Sequence, residues 1–247
     1  MSPKTFIKVF LLLAVIAGCG LFIFLKVEVL GDPNSNFNQT TRFKLGGYPI
    51  VRTILGLHSA GDAREEYFYG KGPIQIVWFA PETENIDQSA LQKFADLVST
   101  YTGRQVQLVG GGAIDDTTLQ LSNLHNQEFK NFAVASGASP LFVFFTEDYA
   151  PRPDQEISTT YLEAGMVISL NAHRQFLQGY TQYMNNYLLS SMLHEFGHQI
   201  GLNHNSDPAC IMDAHAGING HPQEADGLQT PQDFCPAEQA QIAQLKL

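Results

Sequence analysis

Three histidines and one glutamate in the last quarter of the chain have a spacing that suits a catalytic metal site. His194 and His198 are four residues apart, so on a helix both imidazoles project from one face and can bind the same ion. Glu195 lies beside the first ligand, where a carboxylate can reach a metal-bound water without being a ligand itself. Gly201 can end the helix in a left-handed conformation, so that the chain turns and His204 returns as a third ligand. Three protein ligands leave one open position on a tetrahedral zinc ion, which is typical of a catalytic site.

The plainer interpretation of the His-Glu-x-x-His part is an amphipathic helix that carries two surface histidines. The longer stretch fixes five positions, however, and its chance occurrence is on the order of one in ten million per start position. We therefore interpret the stretch as the site of one catalytic Zn²⁺ ion.

The sequence HEFGHQIGLNH at residues 194–204 resembles the signature of the metzincin zinc metallopeptidases, in which a methionine turn follows the third histidine. The candidate here is Met212, in the sequence Cys-Ile-Met-Asp. In the family this methionine lies beneath the metal as a hydrophobic floor, whereas a plainer interpretation makes Met212 a buried gap-filler. The spacing from the histidines to Met212 is most similar to that of the matrixin (matrix metalloprotease) branch.

Other positions differ from the matrixin pattern. Asn205 stands where matrixins usually have Ser, adamalysins Asp and archaemetzincins Cys, and the Cys-Ile-Met sequence resembles adamalysins. The tyrosine that astacins and serralysins carry two residues after the methionine is absent. We therefore expect a metzincin-clan protein closest to matrixins in this stretch, with some archaemetzincin-like and adamalysin-like features.

The resemblance implies a zinc-dependent endopeptidase that acts on protein or peptide substrates. Glu195 would be the general base, since a free glutamate titrates near pH 4.3 and is ionised at neutral pH. An alternative from another class is a zinc-stabilised, non-catalytic binding or adhesion domain on the same fold. Glu195 favours the enzyme, because a structural site has no need of a base.

The resemblance also implies an α+β fold, in which a twisted mixed sheet and helices form an upper subdomain, a smaller subdomain lies below, and the active-site cleft runs between them. Patterns along the chain agree with this order. They predict strands at 73–79, 105–109, 141–145 and 165–170, helices at 85–102, 188–200 and 238–245, a partly helical segment at 115–132 and a loop at 149–155. An extended substrate would pair with an edge strand, for which we expect 165–170 or a neighbour.

Three cysteines are present. Cys210 and Cys235 flank the region after the histidines, and outside the cytoplasm they would most simply form a disulfide that joins the methionine turn to the C-terminal helix. Two free buried thiols, or one cysteine as a metal ligand, are the alternatives. The other histidines, which have no ligand spacing to one another, are expected to be surface or hydrogen-bonded residues; among these, His215 is nearest to the methionine turn.

The N-terminus contains an apolar run at residues 9–25 that is preceded by two lysines. We interpret residues 1–8 as a cytoplasmic N-terminus and residues 9–27 as a signal anchor that spans the membrane with the catalytic domain outside the cytoplasm. A lipoprotein signal that acylates Cys19 and a cleaved secretory signal are the alternatives. All three interpretations export the domain.

The remaining chain is divided by composition. Residues 28–71 are interpreted as a linker and an N-terminal extension, which could pack on the domain or form a short pro-segment, and residues 72–247 as the metallopeptidase domain. The formal net charge is −10, and the chain has no basic run, so nucleic acid is not expected as a partner.

Overall fold

The structure is a computed structural model, and it describes residues 3–29, 45, 51, 54–55, 63–114, 135–147, 158–161, 165–177, 179–213 and 230–246. The chain divides into two compact units, residues 1–60 and 61–247. The predictions for 115–132 and 149–155 lie outside the described residues.

The first unit contains one long helix, α1 (Pro3–Val29), which includes the predicted signal anchor. The Lys26 ammonium near its end donates a hydrogen bond to the Leu55 carbonyl. Cys19, the candidate lipidation site, is exposed and is not in a disulfide. Across the described residues, no helix combines the length and the apolar character that a membrane crossing requires. The expectation of a transmembrane anchor is therefore not supported.

The second unit is built on a five-stranded sheet with the order β2-β1-β3-β5-β4. Its strands are β1 (Ile74–Ala80), β2 (Val106–Ala113), β3 (Ser139–Thr146), β4 (Ser158–Tyr161) and β5 (Gly165–Ser169). The first three strands and β5 are parallel, and β4 pairs antiparallel with β5. The four predicted strands are present, while β4 was not predicted. Strand β4 lies at one edge of the sheet, directly beside β5, which agrees with the expectation of an edge strand at 165–170 or a neighbour.

The interior strands are apolar on both faces, and the side chains of both faces are buried. Ile76 and Val77 on β1 are fully buried although they point to opposite sides of the sheet, and the same holds for Val143 and Phe144 on β3. Near-continuous apolar runs are typical of parallel strands that are buried on both faces. This explains why the run LFVFF at residues 141–145 predicted a buried strand although it does not alternate.

Helix α2 (Arg64–Tyr69) belongs to the second unit and packs against its core. Tyr67 is fully buried, its hydroxyl donates to the Pro140 carbonyl at 3.1 Å, and its ring meets the ring of Phe196 edge to face. The Arg104 guanidinium donates to the carbonyl of Tyr67 at 3.1 Å. Such packing on the domain is expected of an N-terminal extension and of a short pro-segment alike.

Helix α3 (Gln88–Thr102) follows the predicted pattern closely. The Asp87 carboxylate accepts a hydrogen bond from the Ser89 N–H at 2.7 Å and caps the N-terminus. Gly103 ends the helix with a φ of 74°, a conformation that glycine adopts without the steric cost of a Cβ. The apolar face of the helix packs against the sheet and against the histidine-bearing helix.

The described residues of the unit also contain the α-helices α4 (Leu170–Leu177), α5 (Met184–Gln199) and α6 (Pro236–Leu245). Helix α5 carries the histidines, and its predicted range of 188–200 is confirmed with one more turn at the start. Phe196 on α5 is fully buried and meets Phe94 of α3 edge to face, with ring centroids 6.1 Å apart. These contacts fix the rotation of α5, so that its histidines face away from the core.

Candidate metal centre

The end of α5 turns the chain back toward its own histidines. The helix ends at Gln199, and Gly201 has a φ of 91°, which is the left-handed conformation that the sequence predicted for it. The Leu202 N–H donates to the Gly197 carbonyl at 2.8 Å and closes the turn. His204 follows three residues after Gly201 and is exposed to solvent.

The imidazoles of the three histidines meet at one place. The Nε2 atom of His204 lies 3.1 Å from Nε2 of His194 and 3.0 Å from Nε2 of His198. Backbone carbonyls fix the tautomers: Nδ1 of His194 donates to the Ile211 carbonyl at 2.8 Å, and Nδ1 of His198 donates to the Leu202 carbonyl at 3.2 Å. Because a carbonyl only accepts, the proton of each neutral ring is on Nδ1, and Nε2 presents a lone pair.

Lone pairs that face one another at this distance suit a shared cation. When three nitrogens occupy corners of a tetrahedron about 2.1 Å from a zinc ion, they lie about 3.4 Å from one another. The observed Nε2–Nε2 distances of 3.0 and 3.1 Å are close to this value. Burial, together with the nearby His194 and His204, lowers the pKa of His198 to about 4. Burial also lowers the pKa of His204, an effect that the Asp213 carboxylate opposes. Neutral imidazoles are the form that binds metal, so the donor set fits zinc.

Met212 packs against the helix that carries His194 and His198. Its side chain is fully buried, and a Cβ added to Gly197 of α5 would overlap the Met212 sulfur. The same Cβ would come within 3.3 Å of the Phe234 ring. The absence of a side chain at Gly197 therefore lets the methionine turn approach the helix between its first two histidines.

Glu195 is buried, with only 3% of its surface exposed, although it stands between two partly exposed histidines. Its Oε1 atom accepts a hydrogen bond from the Ser158 hydroxyl at 2.7 Å, and its Oε2 atom accepts one from the Thr160 hydroxyl at 2.6 Å. Both donors are on β4, the edge strand. The carboxylate is thus directed toward the strand that borders the site.

The methionine turn is held by a buried carboxylate from α6. Glu238, 2% exposed, accepts hydrogen bonds from the Met212 N–H at 2.6 Å and the Ile211 N–H at 3.1 Å. It also accepts from the Asn205 amide at 2.9 Å and from the Cys235 N–H at 3.0 Å. Because the Ile211 carbonyl orients His194, Glu238 supports the orientation of that imidazole through one peptide unit.

We expect Glu238→Gln to destabilise the domain by about 3 kcal/mol, because the glutamine amide would turn donors toward buried N–H groups that need an acceptor. Denaturant unfolding of the metal-free protein measures the change without a contribution from zinc. Glu82→Gln, on an exposed glutamate, is the matched control and should leave the unfolding midpoint where it was. An unchanged midpoint for Glu238→Gln would show that the four hydrogen bonds contribute little.

Cys210 and Cys235 form a disulfide, which confirms the prediction from the sequence. Cys235 is the residue before α6, so the bridge joins the methionine turn to that helix close to the Glu238 carboxylate. Although these two cysteines and Glu238 are close enough together to be a candidate metal group, the disulfide leaves no thiolate to act as a ligand. The alternative of a cysteine metal ligand is therefore wrong.

His173 is the other histidine that the structure describes. It is fully buried, and burial lowers its pKa to about 4. Its ring nitrogens lie 2.6 Å from the Ser169 carbonyl and 2.9 Å from the Ser191 hydroxyl. It is a hydrogen-bonded core residue, as expected, while the other histidines, His215 among them, lie outside the described residues.

Sequence reasoning missed four residues that support the site: Ser158, Thr160, Asn205 as a hydrogen-bond donor, and Glu238. Only a weak signal was present for the first two, because the run Ile-Ser-Thr-Thr-Tyr has the β-branched and aromatic residues of a short strand. For Glu238 the signal was the capping-box position three residues after Cys235 at the start of a helix.

Comparisons with known proteins agree with this geometry. The family model of the matrixins, peptidase family M10, matches residues 146–230. Among solved structures, archaemetzincin from Methanopyrus kandleri matches with a TM-score of 0.50 and 16% sequence identity, over 70% of this chain and 95% of that one. No curated protein matches the chain.

The likeness to archaemetzincin concerns the fold, and the α+β class with its mixed sheet is confirmed by it. The matrixin match covers the segment that contains β4, β5, the three histidines and the methionine turn. The matrixin match supports a zinc metallopeptidase of the metzincin clan, and the archaemetzincin match supports the fold.

Proposed function

We propose that this metzincin-like chain is an endopeptidase that holds zinc with His194, His198 and His204 and uses Glu195 as its general base. The observation that supports it most is the convergence of three Nε2 lone pairs, two of them fixed by carbonyls and carried by the helix that also carries the buried carboxylate of Glu195. Substrates would be proteins or peptides, the class on which such peptidases act.

The three histidines and Glu195 have separate roles in the proposed hydrolysis of a peptide bond. Zinc held by the three histidines would lower the pKa of its bound water toward about 7 and would stabilise negative charge on the carbonyl oxygen of the substrate. The Glu195 carboxylate accepts the proton of the attacking water at one of its oxygens and then returns it to the nitrogen of the leaving amine. Burial of Glu195 keeps bulk water from competing for that proton.

The edge of the sheet is where we propose that the substrate binds. Among the described strands, β4 pairs only with β5, so its other edge can offer backbone N–H and C=O groups to an extended peptide. Pairing of this kind gives affinity through the main chain, whatever the side chains of the substrate are. It also places the peptide next to the strand whose hydroxyls contact Glu195.

Zinc-dependent hydrolysis is the direct test. The purified second unit, or the full chain, should cleave casein and a quenched peptide. A zinc chelator should abolish at least about 99% of the rate, because a carboxylate is too weak a base to deprotonate a water that no metal has activated. Added zinc should restore the rate. A protein that binds zinc but never cleaves any peptide of a diverse library would instead favour the non-catalytic binding domain.

We further propose that the domain works outside the cytoplasm, because reducing compartments rarely retain a structural disulfide. The Cys210–Cys235 bridge supports this proposal. Fractionation of the native cells, with alkylation of free thiols before lysis, tests it. Cytoplasmic protein with both thiols alkylated would contradict it, whereas exported protein whose two cysteines resist alkylation is the expected result.

A further inference from the structure

The two hydrogen bonds to Glu195 come from one short strand. Ser158 and Thr160 are two residues apart on β4, so their side chains project from the same face of the strand. Each hydroxyl contacts a different oxygen of the carboxylate, at 2.7 and 2.6 Å. These distances are in the range of charge-assisted O–H···O bonds to an ionised carboxylate, which only accepts.

The strand that carries these hydroxyls is itself held in register. Its backbone pairs with β5, with Ser158 opposite Ile168 and Thr160 opposite Met166, and both partners are fully buried. The strand also packs against α5, the helix that carries Glu195. The donors are therefore fixed relative to the carboxylate by the sheet on one side and the helix on the other.

We propose that Ser158 and Thr160 are positioning residues for the proposed peptidase reaction: they hold the Glu195 carboxylate in one orientation from the edge strand. A glutamate side chain has several rotatable bonds, and a base that must find its orientation in each turnover is slower than one that is held there. Each carboxylate oxygen can accept a second hydrogen bond, so both hydroxyls can remain in place while Glu195 accepts a proton.

Glu195, the proposed base, is therefore hydrogen-bonded to β4, the strand along which we propose that the substrate pairs. The backbone of β4 is the edge along which an extended peptide would pair, and the side chains of the same strand orient the base. A positioning role predicts a loss in kcat with little change in KM, whereas a role in substrate binding predicts a rise in KM with kcat preserved.

The experiment compares Ser158→Ala, Thr160→Val and the double variant with the unchanged protein. We expect each single variant to lower kcat by about tenfold and the double variant by about 100-fold, with KM within about twofold and zinc content unchanged. Ser158→Thr and Thr160→Ser keep the hydroxyls and should retain most of the activity. Wild-type kcat in the double variant, or a loss that appears only in KM, would overturn the proposal.

Thr146→Val is the matched control, because Thr146 is a buried threonine of β3 whose hydroxyl has no hydrogen-bond partner among the described residues. It removes a hydroxyl from the same sheet without touching Glu195, and its kcat should equal that of the wild type. If Thr146→Val lowers kcat as much as Thr160→Val does, the effect belongs to the sheet in general and the proposal fails.

A second readout does not depend on turnover. Crystal structures of the zinc-loaded wild type and double variant should show the Glu195 carboxylate ordered between two hydroxyls in the first and displaced or in several conformers in the second. An identical, ordered Glu195 in both would overturn the positioning role, even if the peptidase activity stands. A wild type that cleaves nothing would refute the peptidase, while the two structures would still decide whether β4 holds the carboxylate.

Discussion

Glu195→Ala should lower kcat on a cleaved peptide by about 100- to 10,000-fold, the range that a positioned general base contributes. The zinc content should stay at the wild-type level, because the three imidazoles that converge do not include the glutamate. Removing the carboxylate leaves the Ser158 and Thr160 hydroxyls without their partner, so a modest loss of stability is also expected. Steady-state kinetics on a quenched peptide, together with elemental analysis, measure both quantities.

Asp96→Ala is the control for loss of an acidic side chain, because Asp96 is exposed on α3 and its carboxylate accepts a hydrogen bond from the neighbouring Gln92. It should leave kcat unchanged. If Glu195→Ala cleaves as fast as the wild type while zinc is still required, another group is the base and the assignment of Glu195 is wrong. If the variant loses its zinc as well, Glu195 acts on the metal site rather than on the proton.

The metal site could be predicted because its determinants are local. The four-residue interval between His194 and His198 follows from helical geometry, and the conformational freedom of Gly201 follows from its lack of a Cβ. The position of Met212 needed the resemblance to metzincins, since nothing in the sequence around it says what lies above its side chain. In the structure the missing side chain of Gly197 explains how that methionine reaches the helix.

The supports of the site could not be predicted because they depend on residues that are distant in sequence. Ser158 and Thr160 precede Glu195 by 37 and 35 residues, and Glu238 follows Met212 by 26. Strand β4 has only four residues, too few for an alternating pattern to distinguish it from a loop. The capping-box position marks Glu238 as a residue of a helix N-terminus, but nothing in the sequence shows that its carboxylate is buried.

In the N-terminal part of the chain, before β1, the sequence patterns and the structure differ. An apolar run after two lysines is a strong pattern for a membrane anchor, yet no described helix satisfies the requirements for spanning a membrane. The extension before β1 had no pattern, yet Tyr67 is among its residues and is fully buried against the histidine helix. Hydropathy describes a segment by itself, whereas burial depends on what the rest of the chain places around it.

His204→Ala should weaken zinc binding by at least about 100-fold, because loss of a ligand costs more than the 10- to 100-fold that loss of a supporting hydrogen bond costs. The variant should lose peptidase activity along with its zinc. The helix should remain intact, since His204 is exposed and lies beyond the end of α5, so the metal-free variant and the metal-free wild type should unfold at similar denaturant concentrations.

Asn203→Ala is the matched control, because Asn203 is the exposed neighbour of His204 in the same loop. Elemental analysis after dialysis, and competition with a chelator of known affinity, should give wild-type zinc binding for Asn203→Ala and a large loss for His204→Ala. Equal zinc content in the two variants would mean that the third nitrogen does not ligate the ion, even though it lies 3.0–3.1 Å from the other two. In that event the site would hold zinc through His194 and His198 with a different third group, and Asp213, whose charge acts on His204, would be the first residue to replace.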